Sequence, residues 1–205
     1  MLAASIEPVD RHALPRRLAP ALGASALAAL IFMLVWLGVR SDVATAMGSH
    51  MFWVKLLFPL SLGWVATVTL ARLSRPGVPA GGVIYALAVP ILAVWALAIV
   101  ELSTTASMQW RSLVLGETWL ICPLFVAGLA IPSFAATLWG LGSLAPTRLA
   151  LAGATAGLVA GTVGASVYSL HCPEQGAAFL GLWYLLGMLI PAGAGALIGP
   201  RILRW

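Results

Sequence analysis

Charge is what this sequence has least of. Asp and Glu together number six, Lys and Arg eleven, and charged residues are 8% of the chain, against roughly a quarter in a soluble domain. So few ionic groups cannot cover a water-facing surface, which excludes a soluble globular enzyme as the main body. Cysteine is scarcer still: there are two, Cys122 and Cys172. They are not in a C-x-x-C arrangement, which argues against a thiol-exchange enzyme. No Walker loop, H-E-x-x-H or G-x-S-x-G string is present, so phosphate-cradling, zinc-hydrolase and serine-hydrolase chemistries lose their usual signatures. No charge lies near the middle of any long apolar run. No row of buried acids therefore marks a proton or substrate path, which argues against a pump or coupled transporter. Nor is there a basic cluster interleaved with aromatic stacking positions, so direct nucleic-acid binding is not expected.

What fills the chain is hydrocarbon, with 61% hydrophobic residues. Six runs stand out, at about 19–39, 51–71, 80–100, 119–140, 149–170 and 177–199. Each has the roughly 20 residues a helix needs to cross a bilayer. Without water there, backbone groups must pair within each segment, so helices are expected. The first run is long and lacks a cleavage pattern leading into a polar domain, so it reads as a retained span. The fold class is all-α, a polytopic bundle of six transmembrane helices. Residues 1–17 form a short polar segment and residues 18–205 the membrane domain.

The distribution of positive charge gives an orientation. Arg11, Arg16, Arg17, Arg72, Arg75, Arg148, Arg201 and Arg204 fall on one side of a six-span drawing, and Arg40, Lys55 and Arg111 on the other. By the positive-inside rule both termini are cytoplasmic. Asp42, Glu101, Glu117 and Glu174 then lie outside with the cysteines.

Along the chain, Met51, Phe52 and Trp53 suit an interfacial belt. The string ARLSRPG ends the second span at the inner face. The longest outer connection, around 101–118, holds a short surface helix with Met108, Trp110 and Leu113. Pro132 favours a kink in the fourth span. In the fifth, Gly153, Gly157 and Gly161 repeat at four-residue spacing, as do Gly195 and Gly199 in the sixth. Such faces let helices approach closely, and packing within one chain is favoured over a homodimer contact. The oligomeric state is left open.

Each cysteine is followed by proline, in WLICPL and SLHCPE. Pro123 suits the first turn of a helix, and Pro173 pushes Cys172 out of helical geometry. Both thiols are therefore expected at accessible helix ends. Three readings stay open: a structural disulfide in an oxidising compartment, a redox- or metal-responsive pair, or a thiol-exchange centre. His171 and Glu174 flank Cys172 and would extend a metal site of Cys122, Cys172, His171 and Glu174. Lys55 is expected to snorkel to the outer surface or to pair with Glu101 or Glu117. Met47, His50 and Met51 read as ordinary loop and interface residues.

The strings FWVKLLF, ARLSRPG, GETWLICPL, LGSLAPTRLALAGA, YSLHCPE, WYLLGMLIPA and GPRILRW resemble the NrsF family, six-span membrane anti-sigma factors named for negative regulation of sigma-F. The resemblance runs from about residue 50 to the C-terminus. It implies a protein that is not an enzyme and requires no cofactor. It implies an extracytoplasmic-function sigma factor as cytoplasmic partner. It also implies a heavy-metal response through the two outer cysteines, here Cys122 and Cys172, with a metal ion held transiently. The cytoplasmic N-terminal segment is the family's expected sigma contact, and Arg16, Arg17, Arg72, Arg75 and Arg148 are the basic residues placed to join it. Family members carry further polar residues before the stretch equivalent to AASIEPV, so this chain departs from the pattern there. The competing classes are a membrane thiol oxidoreductase, a small transporter and a cysteine-proline haem sensor.

Overall fold

The computed structural model describes residues 13–75, 81–142, 144 and 146–204. Every regular element among them is helical. Six helices are long and apolar enough to cross a membrane: Leu18–Leu37, His50–Leu73, Val83–Thr104, Cys122–Gly142, Leu149–Tyr168 and Ala177–Ile202. Their ends shift modestly from the apolar runs. The fourth begins at Cys122 and not at 119, because Gly116 turns the chain with a φ of +56° and residues 118–121 form a turn before the helix.

In chain order, α1 (Ala13–Phe32) ends in a wider π-helical turn, Met33–Leu37. The short α2 (Val43–Ala46) leads to α3 (His50–Leu73). Then α4 (Val83–Ala86) and α5 (Ala88–Thr104) make the third span, and α6 (Trp110–Leu115) lies in the following connection. The remaining spans are α7 (Cys122–Gly142), α8 (Leu149–Tyr168), and a last one built from α9 (Ala177–Phe179), a π-helical segment Leu180–Tyr184, and α10 (Leu185–Ile202). The first twelve residues and the Arg17 side chain lie outside the described residues.

The most buried span is α8, which packs against α10, α7, α3 and α1. Its composition explains this. Gly153, Gly157 and Gly161 face the backbone of α10 at Gly195, Pro191 and Met188, and Gly164 faces α7 at Val126 and Ala130. A Cβ at Gly157 would overlap the Pro191 carbonyl. Close backbone approach supplies the van der Waals contact that lipid cannot supply through a hydrophobic effect. Buried hydroxyls are answered locally: Thr69 donates to the Val65 carbonyl at 2.8 Å and Thr155 to that of Leu151 at 2.9 Å. Between helices, Ser25 of α1 and Ser133 of α7 share a 3.0 Å hydrogen bond. Trp64, Trp139, Val35 and Leu197 point outward. In water such a surface would drive aggregation, whereas beside acyl chains it is a matched solvent.

Two expectations are corrected. Lys55 does not snorkel to a surface and meets neither Glu101 nor Glu117. It is fully buried, because the 170–176 connection folds over it and offers carbonyls in place of water. Nor are the cysteines accessible, since both have 0% exposure. That connection closes over the ends of α7 and α8.

Candidate functional site

The cysteines lie 50 residues apart in sequence and meet at one end of the bundle. Cys122 opens α7, with its N–H donating to the Thr118 carbonyl at 2.8 Å. Cys172 follows α8, where the helix unwinds through His171 and Cys172, both donating to the Tyr168 carbonyl at 3.0 Å. Both sulfurs are free thiols, close enough to perturb each other. Aromatic rings wall them in. Tyr168 stacks on Phe125 at 5.8 Å, and Tyr184 approaches Tyr168 at 6.0 Å and Phe179 at 6.4 Å. Tyr184 comes from the π-helical segment of the last span, a distortion that often marks functional positions. Its buried hydroxyl has no hydrogen-bond partner of good geometry, although it lies within electrostatic reach of Cys172.

Lys55 completes the cluster from α3. Its Nζ donates to the Cys172 carbonyl at 2.5 Å and the Glu174 carbonyl at 2.7 Å, and stands 5.5 Å from the centre of the Tyr184 ring. The Cys172 carbonyl takes a second cation, Arg40 Nη1, at 3.4 Å. Arg40 is itself fixed to the Asp42 carboxylate at 2.6 and 2.7 Å. That hydrogen-bonded pair raises the Arg40 value and holds Asp42 below the usual carboxylate range. The Cys172 thiol is pulled below the ordinary thiol range. The neighbouring Cys122 thiol contributes most, the Lys55 ammonium and Tyr184 hydroxyl add to it, and burial opposes it.

His171 and Glu174 do not join the sulfurs. His171 Nδ1 pairs with the Gly38 carbonyl at 2.9 Å. Glu174 accepts from the Glu117 N–H at 2.7 Å and from Thr118 Oγ1 at 3.4 Å. Gly116 makes that bond feasible, since a Cβ there would overlap the Glu174 carboxylate. Among the described residues no three His, Cys, Asp or Glu side chains converge as a cation site. The four-residue set expected around Cys172 is thus not assembled: its two flanking residues are spent on fastening loops. Of that set, only the two sulfurs lie together.

The expected sigma-contact residues that are described lie away from this site, toward the other ends of their helices. Arg72 ends α3 and Arg148 caps α8, and Arg16, Arg72, Arg75 and Arg148 are exposed. Lys55, Arg40, Tyr184 and Gly116 were not singled out as parts of a thiol site. For Lys55 a signal existed, because a charge four residues inside an apolar run is a functional candidate by default.

The chain is similar to known proteins over nearly its whole length. The chain is 47% identical over 205 residues to the "Probable anti-sigma-F factor NrsF" of Azospira oryzae (strain ATCC BAA-33 / DSM 13638 / PS), covering 100% of this chain and 96% of that one. It is 40% identical over 194 residues to the "Anti-sigma-F factor NrsF" of Caulobacter vibrioides (strain NA1000 / CB15N), covering 93% and 90%. No solved structure matches. A family model described as "NrsF: Negative regulator of sigma F" matches residues 2–205, so the chain belongs to the NrsF family.

Proposed function

We propose that this chain is an inner-membrane anti-sigma factor. It holds an extracytoplasmic-function sigma factor at its arginine-bearing cytoplasmic end. It releases that factor when a soft metal ion or a thiol oxidant reacts with Cys122 and Cys172 on the opposite side. Full-length similarity to two anti-sigma-F factors supports the regulatory role. The observation that carries the sensing half is the meeting of two sequence-distant thiols, both fully buried, in one pocket. A nonspecific pair of apolar cysteines would have no reason to gather a buried lysine and an unanswered tyrosine hydroxyl around it. The nearest competitor, a thiol oxidoreductase, needs an attacking sulfur that substrates can reach, and both sulfurs here are covered.

Signalling requires two arrangements of unequal sigma affinity. Moving their ratio from 1:99 to 99:1 takes about 5.5 kcal/mol of differential binding. The test is co-purification of the membrane protein with sigma factors, before and after Cd2+ treatment, for the wild type and for Cys122→Ser/Cys172→Ser. A sigma factor retained by both and shed only by the wild type is expected. Recovery of no sigma factor removes the anti-sigma reading. Cd2+-induced release that persists in the double variant removes the sensing reading.

A further inference from the structure

The connection carrying Cys172 is the point at which that end of the bundle is tied together. The Leu170 carbonyl receives the Arg40 N–H at 3.3 Å, and His171 reaches back to Gly38. Glu174 holds the 116–118 turn, and Gln175 Oε1 accepts from Ser49 Oγ at 3.1 Å. Just beyond, Glu101 Oε2 accepts from the Ala178 N–H at 3.2 Å. Most of these ties sit at the rim, where water competes for the same groups.

Lys55 differs in three respects. It lies entirely inside. It bridges two carbonyls on either side of Pro173, at residues 172 and 174. Among the described residues, no carboxylate lies within ion-pair distance of it. A buried ammonium is costly to hold without a counter-charge. The two carbonyls and the Tyr184 ring are what keep it there. Once the carbonyls move away, a long flexible stem five residues from the start of α3 at His50 lets the charged head swing to water. The closed loop and the buried lysine therefore stabilise each other, and leave together.

We propose that Lys55 is the latch of the thiol pocket: its Nζ, by holding the carbonyls of Cys172 and Glu174, keeps the 170–176 loop shut over Cys122 and Cys172 and sets how readily an external reagent reaches them. This is a positioning role, distinct from contact with the reagent, and it rests on the sensing reading above. The latch explains how a thiol pair with no exposure can still report on its surroundings. Reagents enter through a minor open state in which Lys55 has swung out. Capture of the sulfurs in that state then keeps the loop open. The other charged groups around the latch, Arg40, Asp42 and Glu174, are held by partners of their own.

The experiment uses the full chain in lipid vesicles. Alkylation of Cys122 and Cys172 by N-ethylmaleimide, which crosses membranes, reads the open fraction, and amide hydrogen exchange locates the opening. Lys55→Met is expected to speed alkylation roughly 10- to 100-fold, the scale set by losing charge-assisted hydrogen bonds in a local opening equilibrium. Lys55→Arg keeps the charge and the donors and should restore most of the protection. Exchange should rise over 170–176 and stay unchanged along the glycine faces of α8 and α10. Alkylation equal to wild type, or exchange rising throughout α8 and α10, overturns the latch. If Lys55→Met does not accumulate in membranes, Lys55→Gln, with one donor group, is compared instead: rates above those of both the wild type and Lys55→Arg support the latch and wild-type rates overturn it. A Cd2+ response surviving in Cys122→Ser/Cys172→Ser defeats the sensor reading, while the alkylation series still judges the latch.

Discussion

At the scale of single residues, the chemistry concentrates on Cys172. Its sulfur lies beside the Cys122 thiol and near the Lys55 ammonium, and both neighbours favour the thiolate over the thiol. The Cys172 value is therefore lowered in the folded protein. For a depressed value, the stabilisation from this pairing is fully present above the unfolded thiol range, about 8.5. It is lost as pH falls through the folded value. The pH profile of Cys172 alkylation should accordingly bend below about 8.5. Cys122→Ala, which removes the largest stabilising partner, should move the bend upward. Mass spectrometry of the labelled Cys172 peptide reads both curves, and coincident curves would deny the Cys122 thiol that role. Little of this was legible in WLICPL and SLHCPE. The prolines correctly mark helix ends, but a helix end is an exposed place only until a loop folds over it. The same loop turns Glu174 toward Gly116 and His171 toward Gly38, so sequence adjacency to Cys172 did not become spatial adjacency to its sulfur.

At the scale of helices, the glycines separate into two kinds that the sequence does not distinguish. Gly157 faces the Pro191 carbonyl with no room for a methyl group, whereas Gly193, on the partner helix, has open space where a Cβ would stand. Gly157→Ala should destabilise the α8–α10 pair by roughly 1–3 kcal/mol through overpacking. Gly193→Ala should be neutral or gain up to about 1 kcal/mol, because alanine is the better helix former. Thermal unfolding in one detergent, followed by circular dichroism, compares the two; equal losses would mean that α8 and α10 do not meet along this face. The six helices were readable because their determinants are local: run length, absence of charge and flanking arginines. Their neighbours were not. A four-residue glycine repeat states that something approaches closely without naming it. The distribution of Gly153, Gly157 and Gly161 against α10, and of Gly164 against α7, follows only from the three-dimensional packing of α8 between them.

At the scale of the whole molecule, the thiols cluster at one end of the bundle, and the exposed Arg72, Arg75 and Arg148 lie at helix ends and connections on the other. Under the proposed function, a signal between them has to travel along the spans. The route with the least slack is α8, fixed at one end by the Cys172 loop and closely packed on α10 and α7 along its length. Tight backbone contact leaves such a pair few intermediate positions, so a disturbed loop would shift the helix as a unit and not dissipate in side-chain motion. This scheme has meaning only if the two ends face different compartments in the right sense. In a Cys122→Ser/Cys172→Ser background, a cysteine at Met108, which is 94% exposed at the thiol end, should react in intact cells with a maleimide that cannot cross membranes. A cysteine at the exposed Thr147, beyond the other end of α7, should react only after the membrane is opened. The converse pattern would place the arginines outside, where no sigma factor could meet them, and the coupling of an external thiol reagent to transcription would have no physical path.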